Sequence, residues 1–116
     1  MKSGKLKNRE LEELTNQWLQ IADLEKVVLF GSVARGEGTE DSDLDILVVL
    51  SDLPADEFKR IESDIYRAKS KIRNYSTPVD IIVVTSAFLQ KKLKEQKGFY
   101  PRILKEGVEI YAKKVG

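Results

Sequence analysis

Two apolar runs separated by a short glycine-rich stretch limit what this chain can fold into more than any other feature. Val27-Val28-Leu29-Phe30 stops at Gly31, and Leu44 to Leu50 reads Leu-Asp-Ile-Leu-Val-Val-Leu. Both runs are short and almost unbroken in apolar residues, which is the pattern of buried strands. About a dozen residues join them, and three of the chain's seven glycines fall there. Such a join is short for a crossover, so the two strands are expected to lie antiparallel, with a loop or a single helical turn between them.

Helical spacing surrounds these strands. Upstream, Leu11, Leu14, Trp18, Ile21 and Leu24 recur at steps of three and four, a helix with one buried face and Trp18 in the core. Downstream, Ser51-Asp52-Leu53-Pro54 signals a helix start with Pro54 in the first turn. Phe58, Ile61, Ile65, Ala68 and Ile72 then mark an amphipathic helix ending near Asn74. Thr77-Pro78 opens a third strand, Val79 to Val84. Ser86 is expected to cap a further helix running through Leu89 and Leu93 toward Gly98, and a short helical piece lies around Pro101 to Lys105. Val108 to Tyr111 reads as a last, edge strand. The order α-β-loop-β-α-β-α-β places the chain in the α/β (α+β) class. The join between the second and third strands carries a helix and suits a parallel crossover, so a small mixed sheet with helices is expected. With 116 residues and no linker or repeat, one domain over 1–116 is expected, long enough to bury a real core.

Composition excludes several chemistries. There is no cysteine and no histidine, which removes disulfides, zinc fingers, thiol catalysis and imidazole acid–base chemistry. Any enzyme here works with carboxylates, hydroxyls, Lys, Arg, backbone N–H groups or a metal. Twenty Lys and Arg against nineteen Asp and Glu leave a net charge of +1, so neither a basic nucleic-acid coat nor an acidic tail is a global feature. Met1 to Glu10 is basic and polar with no apolar stretch behind it, so no signal peptide and no membrane span are expected, and the cytoplasm is the expected location.

Chemistry concentrates in Phe30 to Val48, FGSVARGEGTEDSDLDILV. Gly31-Ser32 directly follows a buried strand. A glycine lets the backbone turn sharply and approach a ligand, the serine hydroxyl can donate, and a helix starting there would expose N–H groups to an anion. Asp43 and Asp45, two apart at the start of a strand, point to one face while Leu44 points to the other. Their like charges are compatible if water screens them or if a cation lies between them, and a hard divalent ion such as Mg²⁺ suits oxygen-only ligands. Asp80 interrupts an otherwise apolar strand, and it joins the pair if its strand lies beside the second. Each signal alone has a bland reading: a plain turn, a solvated strand start, an aspartate paired with a surface cation.

Joined, Gly31-Ser32, ten residues, Asp43-Leu44-Asp45 and a later isolated Asp80 are less ambiguous. This spacing resembles the nucleotidyltransferase superfamily that includes the palm of DNA polymerase β. The form Gly31-Ser32-Val33-Ala34-Arg35-Gly36 with Ser42-Asp43-Leu44-Asp45 is most similar to the minimal nucleotidyltransferase (MNT) proteins. The likeness is close over residues 27–50 and looser over most of the rest. It implies a polymerase β-like nucleotidyltransferase fold and transfer of AMP from ATP, with Mg²⁺, two ions in the usual scheme. By that resemblance Gly31, Ser32 and Arg35 meet the nucleotide's phosphates, and Asp43, Asp45 and Asp80 are the metal-binding, catalytic carboxylates. The resemblance also implies a partner, since small members are antitoxins paired with a HEPN-domain RNase toxin, which they bind or adenylylate. The extra domain with which larger relatives hold their acceptor is not expected within these 116 residues.

Two other readings stay open. The domain can act as a non-catalytic module that neutralises a partner by binding, or as a small-molecule adenylyltransferase of the antibiotic-modifying kind, with an oligomer supplying the missing pocket. Lys91, Lys92, Lys94 and Lys97 can contact nucleic acid or triphosphate, although a solvated helix face explains them as well. Phe99-Tyr100-Pro101 reads as a packed loop or a partner contact, and Tyr66 and Tyr75 as candidate self-modification sites.

Overall fold

A computed structural model describes residues 2–39 and 41–114, with side chains from Lys7 onward. Helix α1 (Lys2–Ile21) leads into strand β1 (Leu24–Phe30), a single helical turn α2 (Gly31–Ala34) and strand β2 (Leu44–Leu50). Helix α3 (Ala55–Arg67) continues as a 3₁₀ turn, Ala68–Lys71, before strand β3 (Val79–Thr85). Helices α4 (Ser86–Lys94) and α5 (Phe99–Glu106) and strand β4 (Val108–Ala112) complete the order. The sheet runs β3-β2-β1-β4. β1 is antiparallel to β2 and to β4, and β2 is parallel to β3, so the short join gives the hairpin-like pair and the helical join gives the crossover.

The central strands β1 and β2 are largely apolar on both sides because helices cover both sides there. On one face Val27, Leu29, Leu44, Ile46, Val48 and Leu50 pack with Leu11, Leu14 and Trp18 of α1 and Ile61 and Ile65 of α3. On the other, Val28, Leu47, Val49 and Val84 pack with Leu89 of α4 and Ile103 of α5. Trp18 is fully buried, and its indole N–H donates to the Ile65 carbonyl at 3.1 Å, tying α1 to α3. Among the described residues no helix is long and apolar enough to cross a membrane.

Several local expectations are corrected. α1 begins at Lys2, well before the apolar stripe. Pro54 precedes α3 as its N-cap, in extended conformation, and does not sit in the first turn. α3 itself stops at Arg67, where the Ser70 hydroxyl donates to the Arg67 carbonyl and the chain tightens to 3₁₀. Ile72 still packs on the core, from an extended segment. Thr85, the last residue of β3, caps α4 in place of Ser86: its hydroxyl accepts from the Phe88 N–H at 3.2 Å. Phe99 and Tyr100 lie in the first turn of α5, not in a loop, and pack edge-to-face on Phe30 and Phe88 respectively. Lys91, Lys94 and Lys97 face solvent, while Lys92 pairs with Glu95 and lies over the Phe88 ring. Tyr75 is removed as a modification site, because its hydroxyl is buried and burial, with the nearby Glu10 charge, pushes its pKa up to about 12. Tyr66 stays exposed, its hydroxyl donating to Glu62.

Candidate active site

Strand alternation decides where the aspartates point. Leu44, Ile46 and Val48 enter the α1/α3 core, so Asp45 falls on the opposite face with Leu47 and Val49. On β3 the same alternation puts Asp80 with Ile82 and Val84. The register makes Asp45 the cross-strand partner of Asp80 on one side and of Phe30 on the other. Phe30, Asp45 and Asp80 thus form one row across three strands, where β1 ends and β2 and β3 begin. Neighbouring strands stand about 4.8 Å apart, so the two carboxylates are immediate neighbours. Asp43 stands one step before β2 and lies close enough for its charge to act on Asp45.

The electrostatics follow from that row. Burial pushes the Asp45 carboxyl above its ordinary value of 3.8, and the charges of Asp80 and then Asp43 push it further, against a smaller opposing pull from Arg35. Asp45 is half-buried, whereas Asp43 and Asp80 are exposed. Among the described residues no three acidic side chains form a ready-made metal cage. The donors are oxygens on an open sheet end.

Gly31 makes room for Asp45. It turns the chain at the end of β1 with φ +79°, and a Cβ there would overlap Asp45 Oδ2 and lie 3.1 Å from Asp45 Cγ. Ser32 follows on α2, half-buried. Arg35 closes that turn, its N–H bonded to the Gly31 carbonyl at 3.1 Å and its Nε to Glu37 Oε1 at 3.2 Å.

Two charged side chains that the sequence reading passed over hold the approaches to these aspartates. Lys7 Nζ donates to the Thr39 and Ser42 carbonyls, each at 2.8 Å, fixing the segment that delivers Asp43. Glu10, buried on α1, accepts from the Ser76 N–H at 2.7 Å, the Thr77 N–H at 3.1 Å and the Thr77 hydroxyl, fixing the segment that delivers Asp80. The signal was present: Lys7 and Glu10 continue the stripe of Leu11, Leu14 and Trp18, so charges stand at buried positions of a helix. Glu10→Ala strands two backbone N–H donors. It is expected to lower the stability by about 1–3 kcal/mol for each donor left buried without a partner, read as a lower urea midpoint. Glu10→Gln, which keeps an acceptor oxygen, should lose less.

The family described as Nucleotidyltransferase domain matches residues 11–113, nearly the whole of this architecture. The chain belongs to the nucleotidyltransferase family. A relative from Methanocaldococcus jannaschii, named as the putative protein adenylyltransferase MJ0604, is 33% identical over 88 residues, covering 76% of this chain and 79% of the relative. The crystal structure of a nucleotidyltransferase, so named as putative, from Sulfolobus solfataricus superposes with a TM-score of 0.51 at 25% identity, over 94% of this chain and 79% of that one. A crystal structure of a toxin–antitoxin with AMP-PNP superposes at a TM-score of 0.45 and 20% identity, over 84% of this chain and 73% of that one. The expected class and mixed sheet are those of this nucleotidyltransferase, and its substrate class is a nucleotide.

Proposed function

We propose that this nucleotidyltransferase moves AMP from ATP onto a hydroxyl of a partner protein, with Mg²⁺ held by Asp43, Asp45 and Asp80. The observation that carries this reading is the cross-strand pair Asp45–Asp80, joined by Asp43 and crowded by like charge at the open end of the sheet. Such a site favours a hard divalent cation, because a cation offsets the burial and the like charge that together raise Asp45. Mg²⁺ is commonly held by one or two carboxylates with substrate phosphates and water completing its shell. When bound, the ion lowers the pKa of the acceptor hydroxyl and stabilises charge on the phosphate oxygens.

The protein's own groups do the rest. Ser32 Oγ donates to a phosphate oxygen, Arg35 supplies a fixed positive charge, and Gly31 lets the backbone approach. Asp80 accepts the proton of the attacking hydroxyl. The new bond joins the hydroxyl oxygen to the α-phosphorus, the bond to the bridging oxygen breaks, and pyrophosphate leaves with the electron pair. Positioning and electrostatics suffice for such a transfer, and no imidazole is needed.

A protein acceptor is supported by the relative's name as a protein adenylyltransferase. The motif's likeness to the minimal nucleotidyltransferases extends this to a HEPN-domain toxin as acceptor, with this chain as its antitoxin. The test is mass spectrometry of the protein with its co-purified partner after incubation with ATP and Mg²⁺. A gain of one AMP on the partner is expected. A partner that stays bound at fixed stoichiometry with no mass change would replace transfer by simple neutralisation.

A further inference from the structure

Arg35 is not the only guanidinium at the end of β1. A cavity of about 420 Å³ opens beside Gly31, lined by Phe30, Arg35, Phe99, Arg102 and Glu106 among others. Arg35 reaches it from the residue that closes α2, and Arg102 comes from α5, far along the chain. Phe30 and Phe99 meet edge-to-face at 5.9 Å and give the cavity an apolar wall. Phe30 is also the cross-strand partner of Asp45, on the side away from Asp80. The candidate site therefore has two flanks: Asp80 on one, and a cavity with two arginines against one glutamate on the other.

We infer that this cavity takes the outer phosphates of the nucleotide and that Arg102 is a second phosphate-binding residue, facing the departing pyrophosphate. The inference rests on the adenylyl-transfer reading above and adds to it a residue and a flank. Two guanidiniums line one cavity with a single carboxylate, Glu106, and the second carboxylate that balances them, Glu37, is held only through its bridge to Arg35. The Arg35–Glu37 pair joins two largely exposed side chains, so it yields easily to a phosphate. A neutral nucleobase offers these exposed arginines no charge to meet, whereas phosphate oxygens accept their planar N–H pairs. As the bond from the α-phosphorus to the bridging oxygen breaks, the electron pair passes to pyrophosphate. Arg102 meets that charge without moving a proton, since arginine stays charged throughout.

The test is calorimetric titration of wild type, Arg102→Ala, Arg102→Lys and Glu106→Gln with ATP, AMP and inorganic pyrophosphate in Mg²⁺. Arg102→Ala is expected to weaken ATP and pyrophosphate by about 10- to 100-fold and to leave AMP unchanged. Arg102→Lys should recover part of the loss, and Glu106→Gln, which removes the carboxylate that lines the cavity, should tighten both ligands. Equal weakening of ATP and AMP by Arg102→Ala would place the nucleoside there and overturn the inference, as would no weakening of any ligand. Wild-type protein that binds neither ATP nor pyrophosphate would overturn the adenylyl-transfer reading and this inference with it. ATP binding insensitive to Arg102 would overturn this inference alone.

Discussion

Asp43→Asn combined with Asp45→Asn is expected to lower Mg²⁺-dependent nucleotidyl transfer by at least about 10²–10³-fold, the scale on which single electrostatic contacts to a transition state act. The fold should survive. Leu44 and Ile46 keep β2 in the core, and the two aspartates contribute no apolar burial. Stability carries its own signature. In the folded chain the Asp45 carboxyl binds its proton more tightly than in the unfolded chain, because burial, Asp80 and Asp43 all oppose its charge. Between the unfolded value near 3.8 and the raised folded value, the native state therefore holds more protons, and stability falls as pH rises through that window. Without Mg²⁺ at neutral pH, the Asn variant should thus melt no lower than wild type, and the share of any advantage that comes from Asp45 should vanish well below pH 3.8, where that carboxyl is protonated in the folded and the unfolded chain alike. Mg²⁺ should raise the melting temperature of wild type and not that of the double variant, since only wild type gains a bound cation. Thermal scans at two pH values, with and without Mg²⁺, check all of this. Unchanged transfer by the double variant would remove the carboxylates from the reaction.

Gly31→Ala should be nearly as damaging by a different route. A side chain at positive φ costs about 1–3 kcal/mol, and this Cβ also collides with the Asp45 carboxylate. Asp45 must move, and a displacement of about 1 Å in a catalytic group is worth about 10²-fold in rate. Gly36 separates the two effects. It has φ +77°, close to the +79° of Gly31, but a Cβ on it meets nothing within 4 Å. Gly36→Ala should therefore lose stability from backbone strain and keep transfer, whereas Gly31→Ala loses both. Steady-state rates set against urea midpoints for the two variants distinguish them. Equal rates in both would mean that Asp45 does not depend on the space Gly31 leaves.

How legible the molecule was depended on how local each determinant is. β2 was readable to the residue, Leu44–Leu50, because helices cover both of its faces and leave an unbroken apolar run. The antiparallel β1–β2 pair followed from the short join, and the parallel β2–β3 pair from the helix within the second join. The neighbourhood of Asp45 and Asp80 followed only once β3 lay beside β2 in register. Lys7 and Glu10 were missed because their partners lie more than thirty residues away, at Thr39, Ser42, Ser76 and Thr77. A local periodicity shows that a charge falls on a buried stripe, but not what satisfies it. The α4 cap went to Thr85 and not to Ser86 because adjacent hydroxyl residues offer the same donor and acceptor, and the end of β3 decides which one faces the helix. Arg102 carries no motif at all, and only the packing of α5 against β1 brings it to the cavity with Arg35.

The most direct measurement gives the protein and its co-purified partner ATP labelled at the α-phosphate in one reaction and at the γ-phosphate in another, both with Mg²⁺. Attack at the α-phosphorus under Asp43, Asp45 and Asp80 predicts α-label on the partner and γ-label only in released pyrophosphate. Both signals should be lost in the Asp43→Asn/Asp45→Asn variant. Label arriving from the γ-position would make the reaction a phosphoryl transfer. Either that result or α-label that persists without the two aspartates would contradict the account.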